Sequence, residues 1–331
     1  MSSSAARPYF DDLVRGQAFR GAPAVTLTSG LVAAHRAIVG DRLALALEDR
    51  LGATVTGRPG FAHPAIVWDI AVGQSTLATR RVIANLFYRG LVFHRSAYLG
   101  DTLHTTTEVI GLKENTRNEG RAPTGLAALR ITTVDQDGNL ILDFWRCAML
   151  PLRSPAKTGY ADDLDAVGQD VTDAQLRSLT ASWDLRSFRE KVSGGHFAAI
   201  AVGDEWTSGG DVVSSAPELA RLTLNIAEVH HDALASASGR LVYGGHTIGL
   251  ALAQANRELP DMLTVVGWHS CDHTGPVSEG DTLRSVISVE RVDPLEGGGG
   301  LVHLRSQVAA QRERTDAARD VLDWRFVVAM A

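Results

Sequence analysis

Phe10-Asp11-Asp12-Leu13-Val14-Arg15-Gly16-Gln17-Ala18-Phe19 is echoed 187 residues later by Phe197-Ala198-Ala199-Ile200-Ala201-Val202-Gly203-Asp204-Glu205-Trp206. Aromatic, aliphatic, glycine and aromatic return at the same spacing. Two further echoes keep the order at an offset of 180: Gly100-Asp101-Thr102-Leu103 with Gly280-Asp281-Thr282-Leu283, and Ile141-Leu142-Asp143-Phe144 with Val321-Leu322-Asp323-Trp324. One such match is weak, but three in order at nearly constant offset mark a duplicated unit. The chain divides into a first copy over 1–151, a linker over 152–195 and a second copy over 196–331. Arg153 to Asp173 and Ser187 to Gly195 are polar and show little apolar periodicity, as a linker does.

Each copy reads alike. An opening turn leads to helical segments, then to one long apolar helix, then to strands. In the second copy a helix is expected over Pro217 to Leu224, with Ser215 and Glu218 at capping-box spacing and Pro217 in the first turn. Thr247 to Glu258 is apolar around much of its circumference and should be buried, ending before Pro260. Strands are expected over 262–270, 281–292, 300–310 and 321–330, with Gly297 to Gly300 as a turn. The first copy gives a buried helix over His63 to Thr79 and strands near 81–88, 101–112, 125–134 and 140–150. A buried helix followed by antiparallel strands is an α+β pattern.

Composition limits the function classes. The 331 residues carry 32 basic and 38 acidic side chains, a net charge of −6, which does not suit a general nucleic-acid binder. Apolar residues make up 45%, ordinary for a globular chain, and no apolar run reaches the length of a membrane helix. Two cysteines, Cys147 and Cys271, give no disulfide framework and fit a reducing cytoplasm. Met1 to Asp12 has no apolar core of a signal peptide and reads as a short frayed tail.

Chemistry concentrates in Leu224-Asn225-Ile226-Ala227-Glu228-Val229-His230-His231-Asp232. Asn225 and His230 are five apart, about 140° on an unbroken helix, so they share a site only if the helix ends between them. The histidines also read as ordinary helix-end residues. The pattern lacks the three or four spaced ligands of a zinc site, and Ser236 and Ser238 lack a nucleophile-elbow context. The second feature is Arg240-Leu241-Val242-Tyr243-Gly244-Gly245-His246, directly before the apolar helix. Paired glycines at a helix start leave backbone N–H groups bare, a ready oxyanion site, or else only a tight turn. The first copy offers Ala62-His63-Pro64-Ala65 there, and Asp41-Arg42-Leu43 against Glu228 to His230. Its site is degenerate and the copy serves as scaffold.

These segments, with Tyr98 to Asn115, resemble the MaoC-like dehydratases of the R-specific enoyl-CoA hydratase group over nearly the full length. Within it the likeness is nearest to the mesaconyl-CoA hydratase (β-methylmalyl-CoA dehydratase) branch, and the Arg240 to His246 run is its most specific piece. The resemblance implies a double hotdog fold, two tandem sheets each wrapped around a helix. It implies reversible hydration of a short-chain enoyl-CoA to a 3-hydroxyacyl-CoA, of the mesaconyl-CoA kind, with CoA as part of the substrate and no metal or other cofactor. The wider family supplies an Asp and, five residues on, a His. Those positions fall on Asn225 and His230, so His230 would deprotonate water while Asn225 orients it, with Glu228 as a nearby carboxylate. Tyr243, Gly244, Gly245 and His246 would bind the thioester. Arg240, His269, His273 and Arg89 are candidates for a substrate carboxylate or CoA; the branch has an Arg where this chain has Asp272. Hotdog domains pair, here within one chain, and further pairing would give a homodimer. A hotdog acyl-CoA thioesterase and a non-catalytic acyl-CoA-binding protein are the alternatives.

Overall fold

The computed structural model describes residues 7–168, 170–234 and 239–331. The first half runs β1 (Ala18–Phe19), β2 (Val25–Thr26), α1 (Ser29–Val39), α2 (Ala44–Leu47), α3 (Asp49–Thr56) and α4 (Pro64–Ser75). Four long strands follow: β3 (Ala84–Phe93), β4 (Thr102–Glu114), β5 (Thr124–Val134) and β6 (Leu140–Pro151). Two short helices, α5 (Asp173–Ser178) and α6 (Leu185–Lys191), lie between the halves. The second half repeats the order with β7 (Glu205–Thr207), β8 (Asp211–Val212), α7 (Ala216–Leu222), α8 (Gly244–Glu258), β9 (Met262–His273), β10 (Thr282–Pro294), β11 (Gly300–Gln311) and β12 (Arg319–Met330). Both opening motifs form one 3₁₀ turn, Phe10–Asp12 and Phe197–Ala199.

The long strands form one antiparallel sheet in the order β4-β5-β6-β3-β9-β12-β11-β10. The halves therefore join edge to edge through β3 and β9, where Phe87 pairs with Asp272 and Val92 with Gly267. This is the double hotdog arrangement, with α4 and α8 as its two central helices. All twelve residues of α4 are buried, which explains why it shows no polar stripe. Trp68 of α4 packs edge-on to Trp268 of β9 at 4.8 Å, and Trp268 to Trp324 of β12 at 5.4 Å. The first half's helix is thus built into the second half's core.

Homologous polar contacts follow the offset of 180. Gln74 of α4 donates to the Leu103 carbonyl at 3.0 Å, and Gln254 of α8 donates to the Leu283 carbonyl at 2.9 Å. Each amide oxygen accepts from the hydroxyl two residues further along the strand, Thr105 or Ser285.

Two local expectations are corrected. Ser215 does not cap α7: it lies in the left-handed region (φ 58) with no side-chain cap bond, and Glu279 accepts from the Ala216 N–H at 3.3 Å instead. The second apolar helix starts at Gly244, three residues before Thr247, because glycines carry no side chain to register in a periodicity. The linker holds the two short helices α5 and α6. Thr172 forms a capping box with Gln175 at the start of α5, and the fully buried Leu176 and Phe188 anchor α5 and α6. Six or seven residues are too few for a helical period to stand out.

Candidate active site

The helix α7 ends at Leu222, and the chain turns through Leu224 at φ 59 before Asn225. A non-glycine residue in that region is strained, and here it aims the following segment into the molecule. Gly73 of α4 allows the approach: a Cβ there would sit 1.7 Å from the Thr223 carbonyl oxygen. Thr76 then accepts from the Ile226 N–H at 3.0 Å, tying the turn to the end of α4. The Asn225 Oδ1 accepts from the Ala227 N–H at 3.0 Å, an Asx turn that leads into the 3₁₀ turn Glu228–His230.

Asn225 and His230 meet at one cavity of about 350 Å³ between the halves. The helix ends before Asn225 rather than between the two residues, and the tight turn does the rest. Val72, Thr76, Asn85, Tyr88 and Arg146 line the cavity from the first half; Tyr243, Gly244, Thr247 and His273 join Asn225 and His230 from the second.

The imidazole of His230 is buried. Its Nδ1 lies 2.9 Å from the Leu241 carbonyl oxygen, which only accepts, so Nδ1 carries the proton and Nε2 keeps its lone pair. Burial pushes the pKa of His230 down to about 4, so the ring is neutral at physiological pH. Since the Asn225 Oδ1 is occupied, its Nδ2 is the group left to donate. A water between them can accept from Asn225 and donate to His230.

Gly244 opens α8, and its N–H and that of Gly245 have no partner among the described residues. Gly244 forms part of the cavity wall. A Cβ on Gly244 would lie 2.6 Å from the His273 Nε2, so the glycine also makes room for that ring. Gly245 is absent from the wall: a Cβ there would be 2.1 Å from Asp69 Oδ1 and 2.4 Å from the Tyr243 ring. Tyr243 stacks edge-on to His230 at 5.8 Å, and its hydroxyl donates to Asp69 at 3.0 Å. Asp69 in turn meets His35 at 2.9 Å, a buried chain that fixes the start of α8.

The other predicted residues scatter. His273 lines the cavity, and burial pushes it down to about 4. His246 is fully buried away from the wall, with burial again lowering it to about 4. Glu228 faces the neighbouring cleft, where it pairs with Arg7 at 3.3 Å and Arg80 at 3.6 Å. Arg240 pairs with Glu279 outside the cavity. His269 bonds to His303 at 2.9 Å, and Arg89 pairs with Asp272 at 2.6 Å, neither on the wall. Ser236 and Ser238 fall outside the described residues. The sequence reading missed Arg146, Thr247 and Tyr88. Arg146 left one signal, a charge in the Phe144, Arg146, Ala148 series of a strand whose alternate residues enter the main core.

No protein-family model matches the chain. A conserved hypothetical protein of Mycobacterium tuberculosis with a double hotdog fold is 55% identical, with a TM-score of 0.93, over 98% of this chain and 99% of that one. A Chloroflexus aurantiacus protein described as a MaoC-domain dehydratase is 25% identical, with a TM-score of 0.85, over 100% and 99% of the two chains. The β-methylmalyl-CoA dehydratase of Chloroflexus aurantiacus is 28% identical over 94% of this chain and 88% of its own. Among the described residues no helix is long and apolar enough to cross a membrane.

Proposed function

Because the chain belongs to the MaoC-like double-hotdog family, we propose that it is a hydro-lyase that reversibly hydrates a short-chain enoyl-CoA to a 3-hydroxyacyl-CoA. The finer reading is a mesaconyl-CoA/β-methylmalyl-CoA type of substrate, supported by the likeness to the Chloroflexus dehydratase. The observation that carries the activity is the meeting of Asn225, a neutral His230 and the open start of α8 on one cavity.

The chemistry follows from these positions. The Nε2 of His230 takes a proton from water while the water oxygen bonds to the β-carbon. The π electrons move toward the thioester oxygen, and the Gly244 N–H at the positive end of α8 meets the charge that develops there. The imidazolium returns the proton to the α-carbon, so no net proton is consumed. A depressed histidine pKa suits this second half, because the imidazolium is then a strong acid toward the enolate. Asn225 donates to the water oxygen and holds it over His230.

His230→Ala tests the assignment. Its kcat/KM for hydration of mesaconyl-CoA and crotonyl-CoA should fall by about 10²- to 10⁴-fold with the fold intact. Undiminished turnover in the variant would remove His230 from the mechanism. Thiol release in place of hydration would assign the cavity to a thioesterase.

A further inference from the structure

Arg146 is a buried charge that the hydration step does not use. It is 2% exposed and lines the same cavity as His230. Among the described residues no carboxylate lies within ion-pair distance of it, although most other arginines that are at all covered have one. Among the described residues the cavity wall has no Asp or Glu. What holds Arg146 is neutral: Thr79 Oγ1 beyond α4 at 2.7 Å, Asn85 Oδ1 of β3 at 3.2 Å and the carbonyl of Ser75, the last residue of α4, at 3.4 Å. Three of five N–H donors are placed, and two remain.

A guanidinium stays charged even when burial lowers its pKa, and a buried ion without a counter-charge works against folding. The fold itself does not require the charge. The equivalent position in the second half is Phe326: Arg146 pairs with Tyr88 across β3 and β6 as Phe326 pairs with Trp268 across β9 and β12. Phe326 fills its place by stacking on Trp324 at 3.7 Å. One architecture thus accepts an aromatic ring at this point, and the position holds a cation only in the copy where it lines the cavity.

We infer that Arg146 is the specificity-determining residue of the acyl pocket and receives a second, anionic group on the acyl chain. On the mesaconyl-type reading proposed above, that group is the free carboxylate of the acyl chain, and Arg146 is the residue that selects it. This rests on the hydratase reading for its chemistry but not for its binding test. The acyl end must reach His230, and a cavity of about 350 Å³ suits an acyl group and not the CoA phosphates.

Calorimetry on the full chain compares succinyl-CoA with butyryl-CoA, which differ at the far end of the acyl chain and cannot be hydrated. The wild type should bind succinyl-CoA about 10-fold or more tightly, Arg146→Gln should erase the difference, and Arg146→Lys should keep part of it. In turnover, Arg146→Gln should lower the ratio of kcat/KM for mesaconyl-CoA over crotonyl-CoA by about 100-fold. Equal binding of the two ligands by the wild type overturns the inference, even if Arg146→Gln fails to fold. Equal losses on both enoyl substrates also overturn it, placing Arg146 at the thioester. If no enoyl-CoA is hydrated, the hydratase reading fails while calorimetry still decides the role of Arg146.

Discussion

After α1 the chain passes through Gly40, left-handed at φ 77, into Asp41; after α7 it passes through Leu224, left-handed at φ 59, into Asn225. Both residues then form the same Asx turn, Asp41 Oδ1 accepting from the Leu43 N–H at 2.8 Å and Asn225 Oδ1 from the Ala227 N–H at 3.0 Å. Three residues on, each turn starts a short helical element, at Ala44 or at Glu228. Five residues on stand Ala46 and His230. The structure therefore matches Asp41 to Asn225, not to Glu228 as sequence spacing suggested. In the first half, Asp41 spends its carboxylate on His63, at 2.9 Å and buried, and α4 opens with Pro64, which has no N–H to offer. In the second half the equivalent amide is left partly free, the histidine is present, and α8 opens with a bare glycine. The two turns share a backbone and differ in three ways: an internally paired carboxylate, Ala46 in place of His230, and a helix start without an N–H.

The sharpest way to break this contrast is to give α8 the start that α4 has. Gly244→Pro suits the first turn of a helix but removes an N–H and crowds His273. Hydration should fall by about 10²- to 10³-fold, as read by initial rates on protein that circular dichroism shows to be folded. Asn225→Ala should cost about 10²-fold in kcat/KM through misplaced water, with substrate binding by calorimetry less affected.

The first half should respond in the opposite way. Asp41→Ala leaves the His63 Nε2 and the Leu43 N–H without their acceptor and should lower stability by about 1–3 kcal/mol in denaturant titration. Turnover of the folded fraction should match wild type; a parallel loss of kcat would show that the first half's turn takes part in catalysis.

A smaller effect separates His230 from ordinary surface histidines. His230 and His246 sit near pKa 4 in the folded chain, below the unfolded value of about 6.5. Between those values the unfolded chain binds more protons, so stability falls as pH drops from about 6.5 toward about 4. Each group contributes a slope of about 1.4 kcal/mol per pH unit. His246→Phe should flatten that slope in pH-dependent unfolding. The acid limb of kcat/KM should stay near pH 4, since the neutral form of His230 is the base.

Much of this could be read from residue order. The echo of Phe10 to Phe19 in Phe197 to Trp206, and the offset of 180 through the strands, follow from local pattern, which duplication preserves. Asn225, His230 and Gly244 stood out because their chemistry is concentrated within 20 residues. Glu228 stood out for the same reason, yet it turns to Arg7 and Arg80, because neighbours in a 3₁₀ turn face different sides. Arg146 is 84 residues from His230 along the chain, on the other copy, and nothing local ties it to the site.

The sequence by itself determined the two copies, their strands and the segments rich in reactive groups, since periodicity and side-chain chemistry are properties of short stretches. Only the tertiary structure decided which of those groups share a cavity. That outcome depends on β3 meeting β9, on Gly73 admitting the Thr223 carbonyl, and on which buried charges find a partner within the chain.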